Sequence, residues 1–171
     1  MKNNRIALGG IVFASLLAVA AAWTGEYVFG IVGCTMCVYE RVPYFVTAVL
    51  AAYALLDRLA PVAQRRVFAV CGIVFAFSAA LAIYHGGLQQ HWWADFGVCE
   101  GALPTESTVE NLRAALRNPT PRPPCDEVDW SMFGLSLASL NLIYSTVLVF
   151  ACAVFALRLR TAAVSDHSRG D

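Results

Sequence analysis

Cys34 and Cys37, in the stretch Gly33-Cys34-Thr35-Met36-Cys37-Val38-Tyr39-Glu40-Arg41-Val42-Pro43, are spaced so that their sulfurs can close a small ring or part as thiols. Such a pair exchanges quickly when one sulfur is held as thiolate. Cys37 is expected near the start of the helix that follows, where unpaired backbone N–H groups and the positive dipole end favour a negative sulfur. Arg41 follows four residues later, on the same expected helical face, and adds a permanent positive charge. Glu40 is expected to orient Arg41. A Cys-x-x-Cys can also be half of a zinc site, but the chain has no second close cysteine pair and no His-x-x-x-His, so no metal is expected. Arg41 alone could be a boundary arginine reaching for lipid headgroups; beside Cys37 and Glu40 the redox reading is favoured.

Four further cysteines divide by their surroundings. Cys99 and Cys125 stand in a long polar segment, where a disulfide closing the loop would contribute roughly 3 kcal/mol through chain entropy. On its own that pair reads as a staple. A second, closely spaced pair on the same side makes a relay of electrons between two disulfides the better reading. Cys71 and Cys152 sit inside apolar runs and are expected to be small core residues.

The elements that must hold these residues are membrane helices. Of 171 residues 58% are hydrophobic and 14% charged, too apolar for an ordinary soluble domain. The formal net charge is zero, so no basic patch suggests nucleic acid. Apolar runs of spanning length are expected at residues 6–25, 38–56, 67–84 and 132–157, all within one membrane domain covering 1–171. The first run also imitates a signal peptide, with Ala20-Ala21-Ala22 resembling a cleavage site, but it is longer than a usual signal core and more spans follow. Pro43 is tolerated because it falls in the first turn of its helix.

Lys2 and Arg5, then Arg58, Arg65 and Arg66 of the 57–66 connector, then Arg158 and Arg160 of the 158–171 tail all fall on one side of a four-span plan. That side is expected to be cytoplasmic, with both termini on it. The opposite side takes loops 26–37 and 85–131, hence Cys34, Cys37, Cys99 and Cys125, in a compartment where disulfides persist. Within the second loop Ser107-Thr108-Val109-Glu110 has the form of a capping box ahead of Leu112 and Leu116, and predicts a short amphipathic helix, lying on the membrane or packed on the spans. The proline-rich run 118–124 is expected to be extended and to lead Cys125 back to the body of the protein.

Cys34-Thr35-Met36-Cys37-Val38-Tyr39-Glu40-Arg41 at the head of the second span, with Cys99 and Cys125 in the second external loop, resembles the disulfide bond formation protein B (DsbB) family. His85 and Gln89, and Asp129-Trp130 with Phe133-Gly134, are similar to the family's pattern too; Leu140-Asn141 departs from it where an aromatic residue is expected before the asparagine. The resemblance covers nearly the whole chain. It implies an all-α, antiparallel four-helix transmembrane bundle in the bacterial inner membrane. It also implies an enzyme, a quinone-dependent protein-thiol oxidoreductase that reoxidises a periplasmic, DsbA-like thioredoxin-fold protein. The catalytic residues would be Cys34, Cys37, Cys99 and Cys125. A client thiolate would attack Cys99, Cys125 would turn to Cys34, and Cys37 would face a membrane quinone, ubiquinone or menaquinone.

Cys37, Arg41, His85 and Glu40 are the residues expected around the quinone. A fixed cation such as Arg41 lowers the energy of charge developing on a carbonyl oxygen. His85, at the external end of the third span, could hydrogen-bond the ring or supply a proton, or be an interfacial histidine with no task. Two other readings compete. A vitamin K epoxide reductase-like enzyme also joins loop cysteines, a boundary Cys-x-x-Cys and a quinone, but its pair lies in a late span. A non-enzymatic membrane scaffold would carry both pairs as inert staples.

Overall fold

A computed structural model describes residues 2–57, 59–95, 99, 109, 113, 123–128, 130–132 and 134–167, with the side chains of the first two and of 161–167 left out. Four long or medium helices and one short one account for most of these residues: α1 (Lys2–Tyr27), α2 (Thr35–Tyr39), α3 (Val42–Leu56), α4 (Pro61–Gln89) and α5 (Leu137–His167). Two short strands, β1 (Ser131–Met132) and β2 (Leu135–Ser136), pair antiparallel just before α5. Gly134 turns between them at φ 80°, a conformation that glycine adopts without steric cost. The apolar run expected from residue 132 therefore begins as a hairpin and becomes helical only at Leu137.

Among the described residues three segments are long and apolar enough to cross a membrane: Asn4–Tyr27, Pro61–Gln89 and Leu137–Arg160. The first two extend past the apolar stretches of the sequence at both ends, through polar residues such as Asn4, Glu26, Arg65 and Gln89. The second expected span differs. Its 15-residue helix α3 is shorter than the roughly 20 residues a bilayer core requires, and a break at Glu40 and Arg41 separates it from α2. Pro43, next to the start of α3, has no N–H to give to a continuous helix, which explains why α2 does not run straight on.

The helices pack in chain order, α1 on α3, α3 on α4 and, most extensively, α4 on α5. Small residues line the seams: Ser15, Thr47, Ala51, Ala54, Cys71, Ser78, Ser145 and Cys152 are all buried. Close backbone approach and short interhelical hydrogen bonds hold membrane helices together where lipid removes the hydrophobic drive. Accordingly Ser15 and Thr47 share a 3.0 Å hydrogen bond, and the Tyr144 hydroxyl donates to the Ala14 carbonyl at 2.8 Å. Cys71 and Cys152 are fully buried, as expected of core residues, with Gly72 against Cys152. Large side chains such as Phe13, Val49, Ile73, Phe77 and Phe150 point outward, the pattern of a lipid-facing surface. The capping box at 107–110, the helix expected after it, the run 118–122, Arg58, Asp129 and Phe133 lie outside the described residues, apart from Val109 and Arg113.

Candidate redox site

The site forms at one end of the helices, where the end of α1, the α2–α3 break, the end of α4 and the start of α5 meet. Cys34 is the N-cap of α2, and Cys37 lies one turn inside it. Cys34, rather than Cys37, thus occupies the helix entrance. The sulfurs are 3.5 Å apart and share a hydrogen bond, so this pair is a dithiol. Gly33 permits the arrangement: a Cβ there would lie 3.0 Å from Cys37 Cβ and 3.4 Å from Arg41 Nη2. Arg41 and Cys37 therefore approach the same small patch of backbone, which any side chain would crowd.

Glu40 and Arg41 point to different partners. Arg41 pairs with Glu26 of α1 at 2.5 Å, both side chains being mostly buried. Glu40, buried, sets its Oε1 3.1 Å from Nδ1 of His85, and Nε2 of the same ring lies 3.4 Å from Cys34 Sγ. The expectation that Glu40 orients Arg41 is corrected: Glu26 is the acid on Arg41, and Glu40 is the acid on His85. Consecutive residues with helical backbone angles project about 100° apart, so Glu40 reaches α4 and Arg41 reaches α1. Asn141 of α5 lies against the Glu40 carboxyl, and its Oδ1 accepts from the Tyr44 hydroxyl at 2.5 Å. Hydrogen bonds thus link Cys37, Cys34, His85 and Glu40 in one line, and a separate one joins Tyr44 to Asn141 beside its end.

The charge of the pair follows from these neighbours. The hydrogen bond with Cys37 is the largest influence on Cys34 and, helped against burial by His85, brings its thiol down to about 4. Cys37 is pushed up, first by that same hydrogen bond and then by burial, so the two sulfurs hold one proton between them across their hydrogen bond.

Cys99 and Cys125 form a disulfide with Cα atoms 5.8 Å apart. Cys125 is buried in one cluster with Cys34, Met36 and Leu88, against which Cys37 and Cys99 also pack. Both cysteine pairs thus share one small core. A recess of about 160 Å³, lined by Leu88, Trp93, Asp95, Pro124 and Asp126, opens onto the disulfide. Its wall is fixed by Trp93, which stacks on Tyr84 with centroids 6.0 Å apart and donates Nε1–H to the Tyr84 carbonyl at 3.0 Å. Gly87 makes room for this: a Cβ there would fall 2.0 Å from the indole ring.

On the other side of Met36 lies an apolar groove of about 440 Å³ between α2, α3 and α4, walled by Tyr39, Pro43, Val46, Phe77, Leu81 and Tyr84. Its size is that of small-molecule sites, and its lining suits a flat apolar ring with a hydrocarbon tail.

Cys34, Cys37, Cys99 and Cys125, with Arg41, Glu40 and His85, meet at this end of the molecule. Glu26, Tyr44, Asn141, Gly33 and Trp93 were not singled out as site residues. Asn141 carried a readable signal, a polar amide inside an apolar run; Glu26 and Trp93 carried little, since only their distant partners give them a task.

Among known proteins, the chain is 27% identical over 162 residues to disulfide bond formation protein B of Pseudoalteromonas atlantica, covering 86% of this chain and 88% of that one. It is 25% identical over 158 residues to the protein of the same name in Acinetobacter baumannii, with 88% and 89% covered. No solved structure matches the chain. The family model described as disulfide bond formation protein DsbB matches residues 4–155, and the chain, a multi-pass membrane thiol oxidoreductase, belongs to that family.

Proposed function

We propose that the protein carries two electrons from the dithiol of a periplasmic, DsbA-like thioredoxin-fold protein to a membrane quinone. The observation that carries this reading is the packing of Cys125, from the loop disulfide, against Cys34 in a single buried cluster. Two bridges so placed can exchange without large movement. One client thiolate attacks Cys99, forming a mixed disulfide and freeing Cys125 as thiolate. Cys125 attacks Cys34 of the oxidised Cys34/Cys37 pair and displaces Cys37. The second client thiolate then releases the client as a disulfide and leaves Cys99 reduced. Cys99 attacks Cys125, re-forming the loop bridge and expelling Cys34. The sum is one client disulfide made and one Cys34/Cys37 disulfide reduced, with two protons conserved on the pair and its surroundings.

The depressed thiol of Cys34 makes it a good leaving group in the last exchange, because a lower thiol pKa speeds departure. The described state, loop bridge closed and Cys34/Cys37 reduced, is the one that follows client release. From it, with the shared proton on Cys34, Cys37 stands as thiolate on the side of Gly33 and Arg41. A quinone, when bound, would supply the acceptor for the electron pair and two protons. The apolar groove beside Met36 supports a ring site there; Arg41, Cys37 and His85, which do not line the groove itself, would meet the ring's carbonyl end beyond Met36, while Glu40 holds His85. His85 and Glu40 form a buried line along which a proton can be held or passed.

In this reading the segment 38–56 completes an antiparallel four-helix bundle in the inner membrane. Lys2, Arg5, Arg65, Arg66, Arg158 and Arg160 then mark the cytoplasmic side, with both termini on it, and the site faces the periplasm. The test is turnover by purified protein supplied with a reduced thioredoxin-like protein and a soluble quinone analogue. The account expects rapid loss of quinone absorbance that Cys34→Ser, Cys37→Ser, Cys99→Ser and Cys125→Ser each nearly abolish. A native protein that reduces no quinone overturns it.

A further inference from the structure

The reduced pair has a third neighbour of the right chemistry. Cys34 Sγ, Cys37 Sγ and His85 Nε2 all lie within 4.8 Å of one another, with 3.5 Å between the sulfurs and 3.4 Å from Cys34 to the ring nitrogen. A tetrahedral zinc ion with the usual bond lengths sets two thiolates roughly 3.8 Å apart and a thiolate and imidazole roughly 3.6 Å apart, so the two separations at Cys34 need to open by only a few tenths of an ångström, and the Cys37 sulfur lies within 4.8 Å of the ring nitrogen. His85 is also held as metal-binding histidines are. Its Nδ1 faces the Glu40 carboxylate at 3.1 Å, which fixes the tautomer that leaves Nε2 free to coordinate.

We propose that the reduced Cys34/Cys37 pair and His85 form a binding site for a thiophilic divalent cation such as Zn²⁺, with Glu40 as the carboxylate behind the histidine and the fourth position open. Both sulfurs and the imidazole are buried or half-buried, so the ion would sit among soft donors away from bulk water. Closing the Cys34–Cys37 disulfide removes the two thiolate ligands together. The site therefore exists only in the reduced half of the proposed redox cycle, on which this inference rests. An ion bound there holds both sulfurs and stops their reoxidation, so the metal acts as a redox-state-selective inhibitor.

Cobalt(II) is the probe, because thiolate ligation gives it a near-ultraviolet charge-transfer band and a tetrahedral visible spectrum. The experiment uses full-length protein in detergent carrying Cys99→Ser and Cys125→Ser, so that loop thiols cannot contribute. The reduced protein should bind one Co²⁺ per chain with these bands, and Zn²⁺ should displace it. The same protein after oxidation of Cys34 and Cys37 should show no bands, a control that requires no further substitution. Cys34→Ser and Cys37→Ser should lose the charge-transfer band, Glu40→Gln should weaken binding roughly 10-fold or more, and Cys71→Ala should change nothing. Bands that are absent from the reduced protein, survive oxidation, or vanish in Cys71→Ala overturn the site. Cobalt binding without quinone turnover would sink the electron route and leave this site standing; turnover without cobalt binding would sink this site alone.

Discussion

Nδ1 of His85 lies 3.1 Å from Oε1 of Glu40, across 45 residues of sequence, and Nε2 of the same ring lies 3.4 Å from Cys34 Sγ. A carboxylate, an imidazole and a thiol are thereby lined up inside the protein. The ring can hold a positive charge beside the sulfur because the carboxylate offsets the cost of burying it. His85→Ala should therefore move the thiolate titration of the reduced pair to higher pH, and Glu40→Gln should move it in the same direction by less. Thiolate absorbance in a reduced Cys99→Ser/Cys125→Ser background measures this. Midpoints unchanged in both variants would confine the pair to packing.

In the native protein the same titration has a definite sign. A thiol lowered to about 4 is ionised throughout the neutral range and regains its proton only as pH falls through that value. One thiolate per reduced pair should persist from pH 8 to 6 and disappear in acid. Absorbance that appears only above pH 8 would mean that neither sulfur is stabilised.

Arg41 and Glu26 predict a split between the two half-reactions. Removing a fixed cation from developing charge typically costs on the order of 100-fold in rate. Arg41→Met should slow quinone reduction by roughly that factor, or raise the apparent KM for quinone, while mixed-disulfide formation at Cys99 keeps its native rate. Glu26→Gln should act in the same direction more weakly, because it only positions the guanidinium. A quinone response untouched by Arg41→Met would reduce that residue to an anchor.

Gly87 predicts the reverse split. A methyl group there collides with the Trp93 indole, so the ring must leave Tyr84 and the wall of the recess over the Cys99–Cys125 bridge must shift. Overpacking of this kind costs about 1–3 kcal/mol. Gly87→Ala should lower the thermal midpoint and slow attack of a client thiol on Cys99, with quinone reduction by a chemically reduced Cys34/Cys37 pair unaffected. Equal loss in both half-reactions would place the damage elsewhere.

What could be read in the sequence was whatever is local. Three membrane-crossing helices followed from apolar runs, and the cysteine pairs from their spacing and setting. The break at Glu40 and Arg41 was not legible, although Pro43 hinted at it, and neither was which acid serves which base, because Glu26 and His85 come from other helices. Cys37 is expected at a helix start because one continuous helix is expected to begin there; the separate helix α2 begins at Thr35 and gives its cap to Cys34. His85 was noticed for its position at the end of a span, but its partners come from the α2–α3 break and its second-neighbour Asn141 from α5, contacts that no periodicity encodes. The strands ahead of α5 were missed because two-residue strands leave almost no alternation to detect, Gly134 being their one local mark.

The most direct measurement is to trap the exchange between the two bridges. In a Cys37→Ser/Cys99→Ser protein, the attacking and the accepting sulfur, Cys125 and Cys34, are left without their usual partners. Mild oxidation followed by non-reducing peptide mass spectrometry should find them joined in one intramolecular disulfide in most molecules. If Cys34 and Cys125 instead remain separate thiols, or Cys125 is captured only by other chains, electrons do not pass between the bridges and the account fails.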